Sequence, residues 1–206
     1  MGRGDPDPPH RARLGPVRSP RGEVRTAARR ALWCDMSART RLVVATDGSA
    51  LSNPGPAGWA WAATAPGGGT PQVWAAGPLG TNTNNVAELT ALRELLRAVP
   101  ASVPLEVRAD SQYVINCVTE WIHGWRRRGW KTAAGAPVKN RDLIVEIDAL
   151  LAGRDVVFRW VKAHQARGGD PLNEFVDEAA RAAATSVRAG TTPGPAVLGP
   201  GWPASN

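Results

Sequence analysis

The chain has 206 residues, a formal net charge of +7 and a pI near 10.6, a length that suits one domain with a sizeable core but not a second of ordinary size. No apolar stretch approaches the roughly 20 residues of a membrane span and no signal-peptide segment follows the first basic residues, so a soluble, cytoplasmic protein is expected. The basic balance favours a polyanionic partner, nucleic acid before membrane. Cys34 and Cys117 form neither a disulfide framework nor a metal spacing, and Cys117 lies in an apolar helical pattern that suits a core position.

Residues 1–38 are rich in Arg, Pro and Gly and hold few core formers, which predicts a disordered basic arm. Asp5, Asp7, Glu23 and the many prolines argue against an organellar transit peptide, and Met36 is a candidate start. The folded domain is expected over 39–189. It opens on the apolar run Leu42-Val43-Val44-Ala45, read as a buried strand that ends at Asp47. The turn formers Gly48, Asn53, Pro54 and Gly55 then return the chain into a second strand near Gly58 to Thr64. A third strand, from about Gln72 to Ala76, completes an antiparallel meander. Taken alone, Asp47 is as well explained by a turn cap as by chemistry.

Thr81 to Asn85 supply caps before a helix from about Asn85 to Val99, whose stripe is Leu89, Leu92, Leu95, Leu96 and Val99. Glu88, four residues before Leu92, falls on that inward stripe. Leu105, Val107 and Ala109 alternate as a strand ending at Asp110, a position where an aspartate most often caps a helix. A helix patterned on Val114, Cys117, Val118, Trp121 and Ile122 follows. Between Trp121 and Arg141 stand six cations (Arg126, Arg127, Arg128, Lys131, Lys139, Arg141), no acid, and the tryptophans Trp121, Trp125 and Trp130. Solvated charge runs rarely carry tryptophan, so this interleaving suits a nucleic-acid-facing surface. A helix over about 140–151, a strand over 156–161, a loop holding His164, and a last helix from Pro171 to about Val187 complete the domain. On that helix Asp177 lines up with Ala180 and Ala184, a small-residue face that can approach the sheet closely. Residues 190–206 read as a flexible tail.

This order predicts an α/β fold with a mixed sheet, antiparallel at first and then crossing over to parallel strands. Four inward carboxylates, Asp47, Glu88, Asp110 and Asp177, would repel one another and destabilise the fold unless divalent cations neutralise them. Hard oxygen ligands suit Mg²⁺ or Mn²⁺ better than Zn²⁺. Two such ions can activate a water and stabilise the leaving oxygen of a phosphodiester.

The motifs that carry a resemblance are Thr46-Asp47-Gly48-Ser49 with Asn53-Pro54-Gly55-Pro56, Thr83-Asn84-Asn85 with Glu88, and Asp110-Ser111-Gln112-Tyr113. To these are added Trp121-Ile122-His123-Gly124-Trp125 with Arg128-Gly129-Trp130-Lys131-Thr132, Pro137-Val138-Lys139-Asn140, and Trp160-Val161-Lys162-Ala163-His164 with Asn173-Glu174 and Asp177. Over about Arg41 to Ala184, in order and near spacing, they resemble type 1 ribonuclease H of the bacterial kind. The resemblance implies a ribonuclease H-like fold, a five-stranded mixed sheet flanked by helices, and two-metal hydrolysis of the RNA strand of RNA·DNA hybrids to 5′-phosphate and 3′-hydroxyl ends. It implies Mg²⁺, two ions in the substrate complex with Mn²⁺ as a substitute, a hybrid duplex as partner, no membrane, and a monomer.

By the same resemblance Asp47, Glu88, Asp110 and Asp177 are catalytic metal ligands, and His164 is a mobile histidine for proton transfer or product release. Asn53, Asn84, Asn85 and Gln112 would read the minor groove, where a hybrid displays 2′-hydroxyls in reach of short amide side chains. Thr83 and Asn140 would form a DNA-phosphate pocket, and Trp121, Trp125, Arg126, Arg127, Arg128 and Lys131 a basic protrusion against the DNA strand. Val86-Ala87 before Glu88, Ala163 in place of a frequent Gly, and a longer loop from His164 to Asn173 depart from the family pattern. Two other readings remain open here: a catalytically silent hybrid-binding module, against which the presence of all four acids argues, and a DNA-cutting nuclease of the same fold, against which the amide cluster argues.

Overall fold

The computed structural model describes residues 41–163 apart from 66 and 68, residues 169–191, and the backbone of 196–198. Residues 1–40 and His164 lie outside the described residues, as does most of the tail. Three long strands come first: β1 (Leu42–Ala50), β2 (Gly55–Thr64) and β3 (Val73–Asn82). After α1 (Asn84–Ala98) comes β4 (Leu105–Ala109). A continuous helical run then comprises α2 (Gln112–Asn116), a π-helical turn (Cys117–Trp121) and α3 (Ile122–Arg127). The chain finishes with α4 (Arg141–Leu151), β5 (Val156–Trp160), α5 (Pro171–Arg188) and the short β6 (Ala196–Leu198).

β1 pairs antiparallel with β2 and parallel with β4; β2 pairs antiparallel with β3, and β4 parallel with β5. The five expected strands thus form the mixed sheet β3-β2-β1-β4-β5, and β6, from the segment expected as a flexible tail, extends it antiparallel beyond β3. Alternation along β1 separates two cores. Leu42 and Val44 join Trp61, Leu89, Leu92, Leu96 and Ile144 on the α1 face, whereas Val43 and Ala45 join Leu172, Val176 and Ala180 on the α5 face. Cys117 is fully buried in the first core, as its apolar pattern suggested. No described helix is long and apolar enough to cross a membrane.

Two close approaches set where the helices lie. A Cβ on Gly48 would fall 2.1 Å from the Glu88 amide nitrogen, so only glycine lets α1 come down onto β1 at this point. A Cβ on Gly58 would fall 2.5 Å from the Ala184 nitrogen and 2.6 Å from the Ala180 carbonyl oxygen, so β2 and the alanine face of α5 meet backbone to backbone. Asp47 is inside β1, opposite Ala60 of β2, and not at the strand's end as its turn-like neighbours suggested. Pairing with β2 continues to Ala50 and overrides the weak strand propensity of Asp47-Gly48-Ser49.

Candidate active site

Asp47, Glu88 and Asp110 each offer an oxygen within 4.8 Å of the others'. β1 and β4, parallel neighbours, deliver the two aspartates, and the first turns of α1 deliver the glutamate. Ser111, not Asp110, caps α2, accepting from the Val114 amide at 3.3 Å. The Asp110 carboxylate is thereby released from the capping role its position suggested. Asp177 stands outside this trio, close enough for its charge to raise the Asp47 pKa.

Asp47 is only 6% exposed. Burial, reinforced by the charges of Asp110, Glu88 and Asp177, pushes its carboxyl up to about 9, although the Gly48 amide donates to Oδ1 at 2.8 Å. Burial likewise pushes Glu88 up to about 7, against a hydrogen bond from Ser111 and with the Asp110 charge adding to the rise. Among the described residues no Lys or Arg forms an ion pair with Asp47, Glu88 or Asp110. Carboxylates so placed lack a counter-charge, and a donor set of hard oxygens without Cys or His fits a divalent cation of the Mg²⁺ type.

The amides beside the acids are locked to one another. Asn84 donates Nδ2–H to Glu88 Oε1 at 2.9 Å and accepts the Ala50 amide on Oδ1 at 3.1 Å. Its own backbone amide donates to Asn53 Oδ1 at 3.2 Å. Thr83 caps α1 by accepting from the Val86 amide, while Asn85 and Gln112 are exposed beside the centre.

The RNase H family model matches residues 39–185. The chain belongs to the ribonuclease H family. It is 59% identical over 146 residues to Ribonuclease HI of Streptomyces coelicolor, a match that covers 71% of this chain but 62% of that longer relative. It is 44% identical over 162 residues to Ribonuclease H of Tropheryma whipplei, covering 78% of this chain and 93% of the relative. The crystal structure of RNase H1 from Halobacterium salinarum is 28% identical with a TM-score of 0.52, and the match covers 71% of this chain and 98% of that one.

In this ribonuclease H chain the segment expected as the protrusion spans α3 and the turn after it. Trp121 is 40% exposed and packs edge-on against Tyr113 and Trp125, with ring centroids 6.0 and 5.7 Å apart. Trp125 and Trp130 are turned partly into the core, so the aromatic wall is mainly Trp121. Arg126 is paired with Asp148 of α4, its Nε donating to Oδ2 at 2.7 Å. Arg128 donates Nε–H to the Lys131 carbonyl at 3.2 Å, and Arg127 and Lys131 are exposed. Asn140 adopts a left-handed conformation, φ 56°, and donates Nδ2–H to the Tyr113 hydroxyl at 3.3 Å.

Three residues near the centre had no role in the sequence reading. Trp160, 51% exposed, donates its indole N–H to the Asp110 carbonyl at 3.0 Å. Tyr113 holds Asn140, and Asn173 donates to the Asp110 carboxylate. All three lie in motifs that carry the family resemblance, but only the folded chain brings each to its partner.

Proposed function

We propose that the chain is a metal-dependent endoribonuclease that hydrolyses the RNA strand of RNA·DNA hybrids, leaving 5′-phosphate and 3′-hydroxyl ends. One observation carries this reading: three carboxylates converge within 4.8 Å, with Asp47 buried, and no cation of the described residues answers them. Asp47, Glu88, Asp110 and Asp177 would hold Mg²⁺, two ions when substrate is bound, with Mn²⁺ as a substitute. The ions would supply Lewis-acid stabilisation of the phosphoryl oxygens and a nucleophilic water at neutral pH.

The chain's own groups prepare that centre. The Gly48 amide fixes Asp47 and the Asn84 amide fixes Glu88, so the ligands are oriented before any ion arrives. Asn85 and Gln112, both exposed, would meet 2′-hydroxyls across a wide minor groove, together with Asn53 and Asn84. Thr83 and Asn140 would take a phosphate of the DNA strand. The wall, mainly Trp121 with Trp125 edge-on beside it, suits deoxyribose, because a 2′-hydroxyl pressed on an indole loses its hydrogen bonds to water. Arg127, Arg128 and Lys131 would add phosphate contacts. His164 is assigned to proton transfer or product release, a role that makes His164→Ala slow but not inactive. We further place the protein in the cytoplasm as a monomer.

The test is an assay on RNA·DNA, RNA·RNA, DNA·DNA and single-stranded RNA, one strand labelled at a time, with and without Mg²⁺. Cleavage confined to the RNA strand of the hybrid, and only with the metal, is expected. Cutting of DNA·DNA, or cutting without divalent metal, would defeat the reading.

A further inference from the structure

Asn173, near the start of α5, is 4% exposed and so among the few buried polar side chains of the described residues. Its Nδ2–H donates to Asp110 Oδ2 at 3.3 Å. Its Oδ1 is buried and has no hydrogen-bond partner among the described residues. Burying an amide is costly, and leaving half of it unsatisfied more so, so an apolar side chain would dock this helix turn better. An amide kept there at that cost is explained by what its N–H holds, the Asp110 carboxylate.

The helix start is also anchored in a way that fixes this amide. Asp170 accepts the backbone amides of Leu172 and Asn173, both at 3.0 Å, and pairs with Arg108 at 2.7 Å. Arg108 lies on β4, two residues before Asp110. The path therefore leaves β4 at Arg108, crosses to α5 through Asp170, and returns through Asn173 to the Asp110 carboxylate. The path fixes the backbone at Asn173, and so the point from which its amide reaches the carboxylate.

We infer that Asn173 is a positioning residue of the acidic centre: its amide N–H holds the Asp110 carboxylate in the orientation a divalent cation needs. This rests on the metal reading proposed above and adds to it a residue that binds no metal directly. Removing such a supporting partner typically weakens metal affinity about 10- to 100-fold.

The test is Mg²⁺ titration of the full chain without nucleic acid, followed by NMR through two reporters. The Gly48 amide, bonded to Asp47, reads metal arrival, and the Asn173 side-chain NH₂ reads the inferred contact. In the wild type both signals should shift with one Kd. In Asn173→Ser and Asn173→Ala the Kd read at Gly48 should rise about 10- to 100-fold. A purely structural asparagine would lower Tm and leave that Kd unchanged, which overturns the inference. An Asn173 signal that stays still while Gly48 saturates also overturns it, and this arm needs no variant to fold. A Gly48 signal that never responds would overturn the metal reading itself.

Discussion

Gly48 and Glu88 touch through their backbones: the space a Gly48 Cβ would need is 2.1 Å from the Glu88 amide nitrogen and 2.2 Å from the Ala87 carbonyl carbon. The contact fixes the height of α1 over β1, and with it the separation of the Glu88 and Asp47 carboxylates. Backbone atoms on both sides leave nothing flexible to yield. Gly48→Ala should destabilise the domain by about 1–3 kcal/mol. It should reduce hybrid cleavage by far more than that loss of folded protein explains, because a misplacement of about 1 Å can cost 10²-fold. Thermal melts beside turnover of the folded fraction check this; a stable, fully active alanine variant would mean that α1 can lift without moving the site.

The raised carboxyls make stability depend on pH when metal is withheld. Asp47 titrates near 3.8 when unfolded and about 9 when folded, and Glu88 near 4.5 and about 7. The folded state therefore holds more protons than the unfolded state across this range, and stability falls as pH rises from about 4 toward 9. In chelator, Tm should decline from pH 5 to pH 9. Asp47→Asn should flatten the decline and melt higher than wild type at pH 8, and Mg²⁺ should restore the wild type most at the alkaline end. A metal-free Tm that rises over this range would contradict the electrostatic account.

Features of this fold set by local spacing are legible in the sequence, and those set by distant contacts are not. The inward placement of Glu88 follows from its spacing to Leu92 and Leu95, and α1 carries it there because helical period alone decides the face. The parallel pairing of β1 with β4 follows from an intervening helix. The strand position of Asp47 is not local in this sense: Thr46 to Gly55 is rich in turn formers, and only pairing with β2 keeps Asp47 to Ala50 in the strand. The charge run from Trp121 to Arg141 contains no acid of its own, yet Asp148 on a separate helix reaches Arg126. Likewise the left-handed Asn140 and the half-satisfied amide of Asn173 arise from contacts distant in the chain, which no periodicity encodes.

That ion pair divides the protrusion's cations. Arg126 is engaged with Asp148, so Arg126→Ala should leave the salt dependence of hybrid binding nearly unchanged. Arg127 is exposed, and Arg127→Ala should flatten the slope of log K against log salt by up to about one unit. Saturated turnover should be unaffected in both. Binding across a salt titration separates them, and equal slopes for the two variants would show that the Asp148 pair opens when substrate binds.

The tail adds β6 to the β3 edge through only three residues. A chain from Met36 to Gly190 lacks it and should melt slightly lower while cutting hybrids at the wild-type rate, since no proposed site residue lies outside that span. Loss of activity on truncation would place a functional contact in one of the removed segments.

In the proposed function the carboxylates Asp47, Glu88 and Asp110 act through bound metal on a hybrid held by other residues. Single-turnover cleavage of a labelled RNA·DNA hybrid by Asp110→Asn, measured beside hybrid affinity in the same Mg²⁺ buffer, tests it most directly. The substitution keeps side-chain size and removes one ligating charge. The expected result is affinity within a few-fold of wild type, with the cleavage rate reduced at least about 10³-fold, the scale of several kcal/mol of lost transition-state stabilisation. Near-normal cleavage by the bound variant would contradict the account.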